Sequence, residues 1–403
     1  ALLEDCGLGK TVQQLTWAEN VIRHAGKKNG KVLILTPIAV AQQTIREAEK
    51  FGMEAYRSKS GELTDGINVT NYHRLHKYKP GDFLAVVLDE SSILKGMDGF
   101  YRKEITAFMA RVTYRLLCSA TPAPNDFMEL GTSSEALGMM SYSQMLAAFF
   151  TNDGETTQQW RLKGHAKTRF WQWMASWARA IRKPSDLGFP DGPFILPKLN
   201  VLRHLVPSMM PKVGLFREPA RGLDEQRLER KRTLESRCSK VAELVPKNRP
   251  CVIWCHLNKE SEVLAKMIPG AVEVRGSDSD EVKEERLIGF STGEVRVIVT
   301  KPKIAGFGLN WQHCSDVFYF PSHSHEAYYQ AVRRCWRFGQ EREVNCNIVA
   351  SEGEILVLNN MLRKERLAEE MYAGICREMG KFSAKVEETN GHVPMRIPKW
   401  LQQ

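Results

Sequence analysis

The first eleven residues constrain the fold more than any other segment. Ala1-Leu2-Leu3 is short and apolar, and Glu4-Asp5-Cys6-Gly7-Leu8-Gly9-Lys10-Thr11 follows it. Val12, Leu15, Ala18, Val21 and Ile22 then recur at helical spacing. The order predicts a buried strand, a glycine turn and a helix, the context of a phosphate-binding loop. Gly7 and Gly9 let backbone N–H groups curl round an anion, and the helix start adds partial positive charge. Lys10 would reach the β- and γ-phosphates, and the Thr11 hydroxyl would ligate Mg²⁺. Glu4 stands where the common G-x-x-x-x-G-K-[ST] pattern has its first glycine.

Two further strands end in polar residues. Phe83–Leu88 is an apolar run that closes on Asp89-Glu90-Ser91-Ser92. Carboxylates at the carboxyl end of a buried parallel strand lie beside the ligand crevice. Asp89 would hold Mg²⁺, and Glu90 would orient and deprotonate an attacking water. Alone, the pair reads as an acidic helix cap; with Gly-Lys-Thr upstream, the catalytic reading prevails. Leu116-Leu117-Cys118 leads to Ser119-Ala120-Thr121-Pro122, whose small hydroxyl residues could report the state of the γ-phosphate to the Asp-Glu pair.

In this order the motifs resemble those of superfamily-two helicases, and among them the Swi/Snf-type DNA translocases. Leu33–Pro37 and Ile67–Tyr72 resemble strands whose ends touch the nucleic-acid backbone; Thr36, Pro37, Thr70 and Asn71 are the candidates there. Cys251–Cys255 resembles the first strand of a second lobe. Ala305–Trp311 is similar to the family's Gly-x-Gly-Leu-Asn loop, with Gly308 toward the nucleotide and Lys301 and Asn310 toward nucleic acid. Tyr329–Gln340 resembles the Gln-Ala-x-x-Arg-x-x-Arg-x-Gly-Gln element and is the most specific signature in the chain. Its spacing predicts Arg334 and Arg337 on one face of a helix. The resemblance implies that both act as arginine fingers and that Gln330 belongs to the catalytic set.

The resemblance implies an α/β fold of two RecA-like parallel-sheet lobes with a helical insertion. The expected divisions are 1–130, a Trp-rich insertion and linker at 131–200, 201–350, and a C-terminal helix and tail at 351–403. It implies ATP and Mg²⁺ as ligands and double-stranded DNA as partner. A strand-separating DNA or RNA helicase and a partner-controlled, ATP-gated clamp are the alternatives. The sequence departs from the family at Ser119-Ala120-Thr121, at Trp311 in place of Leu, and at Arg333 in place of Asp. It starts at the first strand, so a piece of a longer protein lacking the adenine-reading segment is expected, from a divergent phage or bacterial branch.

A net charge of +10 over 403 residues fits a polyanionic partner. The nine cysteines include no C-x-x-C pair and read as reduced thiols of a cytosolic protein. Trp160, Trp171, Trp173 and Trp177 cluster in the insertion. Phe170, Trp173, Trp177 and Ile181 fall at helical spacing, predicting an aromatic core in preference to a base-stacking surface. Residues 215–244 mix both signs of charge and read as one solvated helix.

Overall fold

The computed structural model describes residues 1–26, 30–38, 40–95, 99–152, 160–208, 212–213, 216–217, 220, 222–306 and 309–389. The chain divides into two compact units, Ala1–Asp191 with Leu367–Gln403, and Gly192–Arg366.

The first unit holds a seven-stranded sheet in the order β3-β4-β2-β5-β6-β1-β9. Its strands are β1 (Leu2–Glu4), β2 (Lys31–Thr36), β3 (Ala55–Arg57), β4 (Gly66–Asn71), β5 (Ala85–Asp89), β6 (Tyr114–Ser119) and β9 (Arg179–Ile181). A separate antiparallel hairpin is formed by β7 (Phe150–Asn152) and β8 (Trp160–Leu162). Every pair in the large sheet is parallel. Parallel strands covered on both faces read as continuous apolar runs, as β2 and β5 do. Val32 and Ile34 pack with α1 (Lys10–His24) and α2 (Ala41–Lys50) on one face. Leu33 and Leu35 pack with α3 (Phe100–Met109) on the other.

A third cluster of this unit joins α4 (Glu129–Leu137), α5 (Tyr142–Phe149) and α6 (Lys167–Trp177) to residues 371–375 of the long C-terminal helix. The aromatic-core expectation is met, with a shifted face. Phe170, Trp171, Met174 and Ala175 are buried, whereas Trp173 and Trp177 are half-buried and Ile181 lies in β9. Residues up to Asp191 of the expected 131–200 segment belong to the first compact unit. Their strand β9 pairs with β1 and extends the first sheet.

In the second unit β10 (Leu199–Val206), β13 (Cys251–Trp254), β14 (Ala271–Glu273), β15 (Val297–Thr300), β16 (Asp316–Tyr319) and β17 (Val344–Ser351) form an all-parallel sheet in the order β10-β17-β16-β13-β15-β14. The two-residue strands β11 (Lys212–Val213) and β12 (Phe216–Arg217) pair with each other. One sheet face packs on α8 (Leu234–Leu244) and α9 (Asn258–Met267). The other face packs on α10 (Asp280–Thr292) and α12 (His325–Val332), and Ala305 of α11 (Pro302–Ala305) joins that cluster. Trp311 stacks on Trp254 there at 5.7 Å between ring centres and donates from Nε1 to Ser291 Oγ at 2.9 Å. A Trp at this position is thus a core residue with its polar edge satisfied.

The charged stretch differs from expectation. It forms two helices, α7 (Leu223–Arg232) and α8, that meet at Thr233. One face is buried in an ion network: Arg237 bonds Glu260 at 2.8 Å and lies 3.5 Å from Glu354, which Arg230 reaches at 2.9 Å. Charge periodicity alone cannot reveal burial, because the partners Glu260 and Glu354 come from distant segments. The last helix, α13, runs Ile355–Thr389.

Candidate nucleotide-binding site

Three chain segments leave the carboxyl edge of the first sheet side by side. In the order β5-β6-β1, Leu3 pairs with Ser119 and Asp89 with Cys118. The glycine loop, the Asp89-Glu90 pair and the Ser119–Thr121 turn therefore emerge at neighbouring positions, although up to 116 residues separate Leu3 from Ser119.

The loop from Asp5 to Gly9 has the geometry of an anion cradle. Gly7 and Gly9 have φ of +90° and +83°, values that side-chain-bearing residues rarely adopt. Helix α1 has no side-chain cap and no acidic residue in its first turn. Its leading N–H groups are left for another acceptor, and the helix dipole favours a negative one. Lys10 Nζ donates to the carbonyls of Glu4 at 2.8 Å and Asp5 at 3.0 Å, across the loop. Thr11 is half-buried at the start of the helix.

The carboxylates are arranged by α1. Asp89 ends β5 at 7% exposure and accepts a 2.6 Å hydrogen bond from Gln14 Nε2. Desolvation raises its pKa, opposed by the Gln14 bond and the Lys10 charge. Glu4 is buried beneath the loop and accepts from Gln13 Nε2 at 2.8 Å. Its pKa is raised by desolvation, with Lys10 and Gln13 opposing. Gln13 also donates to the Leu8 carbonyl at 3.1 Å. Neither glutamine was singled out from the sequence. The signal was there in the helical period, since 10, 13 and 14 share a face.

Glu90 has φ +53°, the one positive value at a non-glycine residue among the described residues. Such a conformation costs on the order of 1–3 kcal/mol and persists where surrounding structure enforces it, commonly at functional sites. Ser119 Oγ accepts from Thr121 N at 3.0 Å, and the buried Thr121 hydroxyl has no hydrogen-bond partner. Ala120 O accepts from Tyr372 Oη at 2.8 Å, anchoring the turn.

The nucleic-acid candidates of this unit are mostly inward-facing. Thr36 Oγ1 donates to Pro37 O at 3.0 Å, Thr70 Oγ1 accepts from Tyr78 Oη at 3.2 Å, and Asn71 is buried. Pro37 is half-buried.

In the second unit, Gly308 lies outside the described residues. Asn310 is exposed, and the half-buried Lys301 bonds Asn258. The expectation of Arg334 and Arg337 on one helix face is corrected. Helix α12 ends at Val332 with Arg333 as its C-cap, and the chain then turns. Arg333 is buried over the rings of Trp336 at 4.9 Å, Tyr329 at 5.7 Å and Phe338 at 5.9 Å, an anchor that a continuing helix would not provide. The two arginines converge all the same. Arg334 donates to Leu309 O at 3.1 Å, and Arg337 reaches the same carbonyl at 3.5 Å and the Asn310 side chain. Gln330 is buried, its carbonyl accepts from Arg334 Nε at 3.1 Å, and its side-chain Nε2 has no partner.

Among the described residues no cluster of three His, Cys, Asp or Glu side chains could hold a metal, and no helix is long and apolar enough to cross a membrane. All nine cysteines are free thiols. No family model matches the chain, and no curated protein matches it. Among solved structures it is similar to the "Sulfolobus solfataricus SWI2/SNF2 ATPase core in complex with dsDNA", with TM-score 0.40 and 16% identity over 96% of this chain and 91% of that one. Each unit carries an all-parallel sheet flanked by helices, so the chain has the α/β fold class expected from its motif order.

Proposed function

We propose that the chain is an ATP-hydrolysing motor on nucleic acid, of Swi/Snf type, that moves along duplex DNA. The carrying observation is the shared sheet edge: an uncapped helix start behind two positive-φ glycines, next to Asp89, Glu90 and Thr121. That donor set suits Mg-ATP. Backbone N–H groups and Lys10 would take phosphate oxygens, and Thr11 and Asp89 offer the hard oxygen ligands Mg²⁺ prefers. When bound, Mg²⁺ would neutralise charge developing on the phosphates. Glu90 would orient the attacking water and take its proton, and Thr121 would sense the γ-phosphate. Arg334 and Arg337 would act as arginine fingers, lowering the barrier by stabilising transition-state charge.

Support for a polyanionic partner comes from the +10 charge and from the segment after β4. There His73, His76, Lys77 and Lys79 are exposed directly beyond the buried Asn71. Grip on phosphates would release counterions and depend little on sequence.

The test is ATP turnover measured with duplex DNA, single-stranded DNA and RNA. Duplex DNA should stimulate most, its apparent affinity should fall steeply with salt, and a triplex should be displaced while a fork is poorly unwound. Efficient fork unwinding would replace this reading with a strand-separating helicase. Turnover unaffected by any nucleic acid would refute the motor.

A further inference from the structure

We propose that Gln14 is the positioning residue that fixes Asp89 for metal binding, and that the neighbouring Gln13 serves the phosphate loop instead. The inference rests on reading the first unit as a Mg-nucleotide site. Two adjacent residues of α1 diverge to two buried carboxylates. Gln14 Nε2 donates to Asp89 Oδ1 at 2.6 Å, and Gln13 Nε2 donates to Glu4 Oε2 at 2.8 Å and to Leu8 O at 3.1 Å.

The division of labour follows from the partners. Asp89 is the last residue of β5, and its carboxylate is met by the backbone N–H of Glu90 and by the Gln14 amide. The χ2 torsion of an aspartate is broad. The Gln14 amide on Oδ1, added to the Glu90 N–H, restricts this freedom, and an ionised carboxylate with two donors keeps lone pairs for a cation. Gln14 is itself 1% exposed, so it is held by packing and its donor does not wander. Lys10 and Gln14 lie four apart on one helix face. The group that meets phosphate and the group that holds the metal carboxylate therefore move as one body. Gln13 has different work: it ties Glu4, before the loop, to Leu8 within it, and so sets the loop's span.

The experiment uses the full chain with Gln14→Met, which keeps length and removes the donor, and with Gln14→Asn, whose amide falls roughly 1.5 Å short. Gln13→Met is the comparison. A fluorescent ATP analogue is bound in EDTA and across a Mg²⁺ titration, and Mn²⁺ occupancy is followed by electron paramagnetic resonance. Outer-shell partners of metal ligands typically change metal affinity by about 10–100-fold. Both Gln14 variants should therefore need about 10–100-fold more metal, with metal-free nucleotide affinity at the wild-type value, and kcat should recover at saturating Mg²⁺. Gln13→Met should lose nucleotide affinity equally with and without metal. A wild-type Mg²⁺ midpoint in either folded Gln14 variant overturns the inference while leaving the site intact. So does an equal loss with and without metal. Metal-independent nucleotide binding by the unaltered chain would instead refute the site on which the inference rests.

Discussion

Leu3 and Ser119 are register partners across the parallel strands β1 and β6. The chain leaves the sheet just beyond each, at Asp5 into the glycine loop and at Ala120 into the Thr121 turn. Parallel pairing makes this possible, since all carboxyl ends then lie on one edge. The proposed chemistry depends on that edge.

Glu90→Gln should keep the shape of the site and remove the base. ATP turnover should fall about 10²–10⁴-fold while binding of a fluorescent ATP analogue survives. Near-wild-type turnover would show that Glu90 is not the base. Lys10→Ala should behave differently and weaken nucleotide binding itself.

Arg337→Ala and Arg334→Ala should each lower turnover by about 10³-fold or more, with nucleotide binding kept. Their stabilities should differ. Arg334 is buried with donors to Gln330 and Leu309, whereas Arg337 is half-buried. Thermal melts should therefore move for Arg334→Ala and barely for Arg337→Ala, so a rate defect in the latter cannot be ascribed to unfolding.

Arg237 is 1% exposed, bonded to Glu260 and close to Glu354, with Arg230 O accepting at 2.8 Å. Arg237→Ala removes the guanidinium from the buried Glu260, while Arg230 still reaches Glu354. The cost should be about 3–5 kcal/mol in denaturant unfolding. A change below about 1 kcal/mol would show that solvent or other donors replace the guanidinium.

His325 is 3% exposed, and its pKa is lowered from 6.5 to about 4 by desolvation, with the Lys364 charge adding to the effect. The unfolded chain then binds more protons between pH 4 and 6.5. The neutral ring's contribution is fully present above about pH 6.5 and declines as pH falls toward 4. It should amount to a few kcal/mol, of the order of 3. His325→Phe should flatten this part of the stability profile measured by urea unfolding. A profile parallel to wild type would place the titration elsewhere.

The sequence by itself determined the elements whose signal is local. Apolar runs such as Val32–Leu35 and Ala85–Leu88 fix buried parallel strands, because both faces of the sheet are covered. Gly7 and Gly9 before Lys10-Thr11 fix the loop, because few other residues adopt that backbone. Only the tertiary structure decided the rest. Three-residue β9 has no run long enough to announce it and becomes a strand by pairing with β1. Arg237 looks solvated in a mixed-charge segment until Glu260 and Glu354 are brought to it. Helix α12 stops at Val332 because Arg333 finds an aromatic cage that the turn itself creates. Glu90's positive φ and the bond from Gln14 to Asp89, 75 residues away, likewise arise from packing. Local periodicity records which face of an element is apolar; which polar groups meet across that face depends on contacts that close only when the sheet assembles.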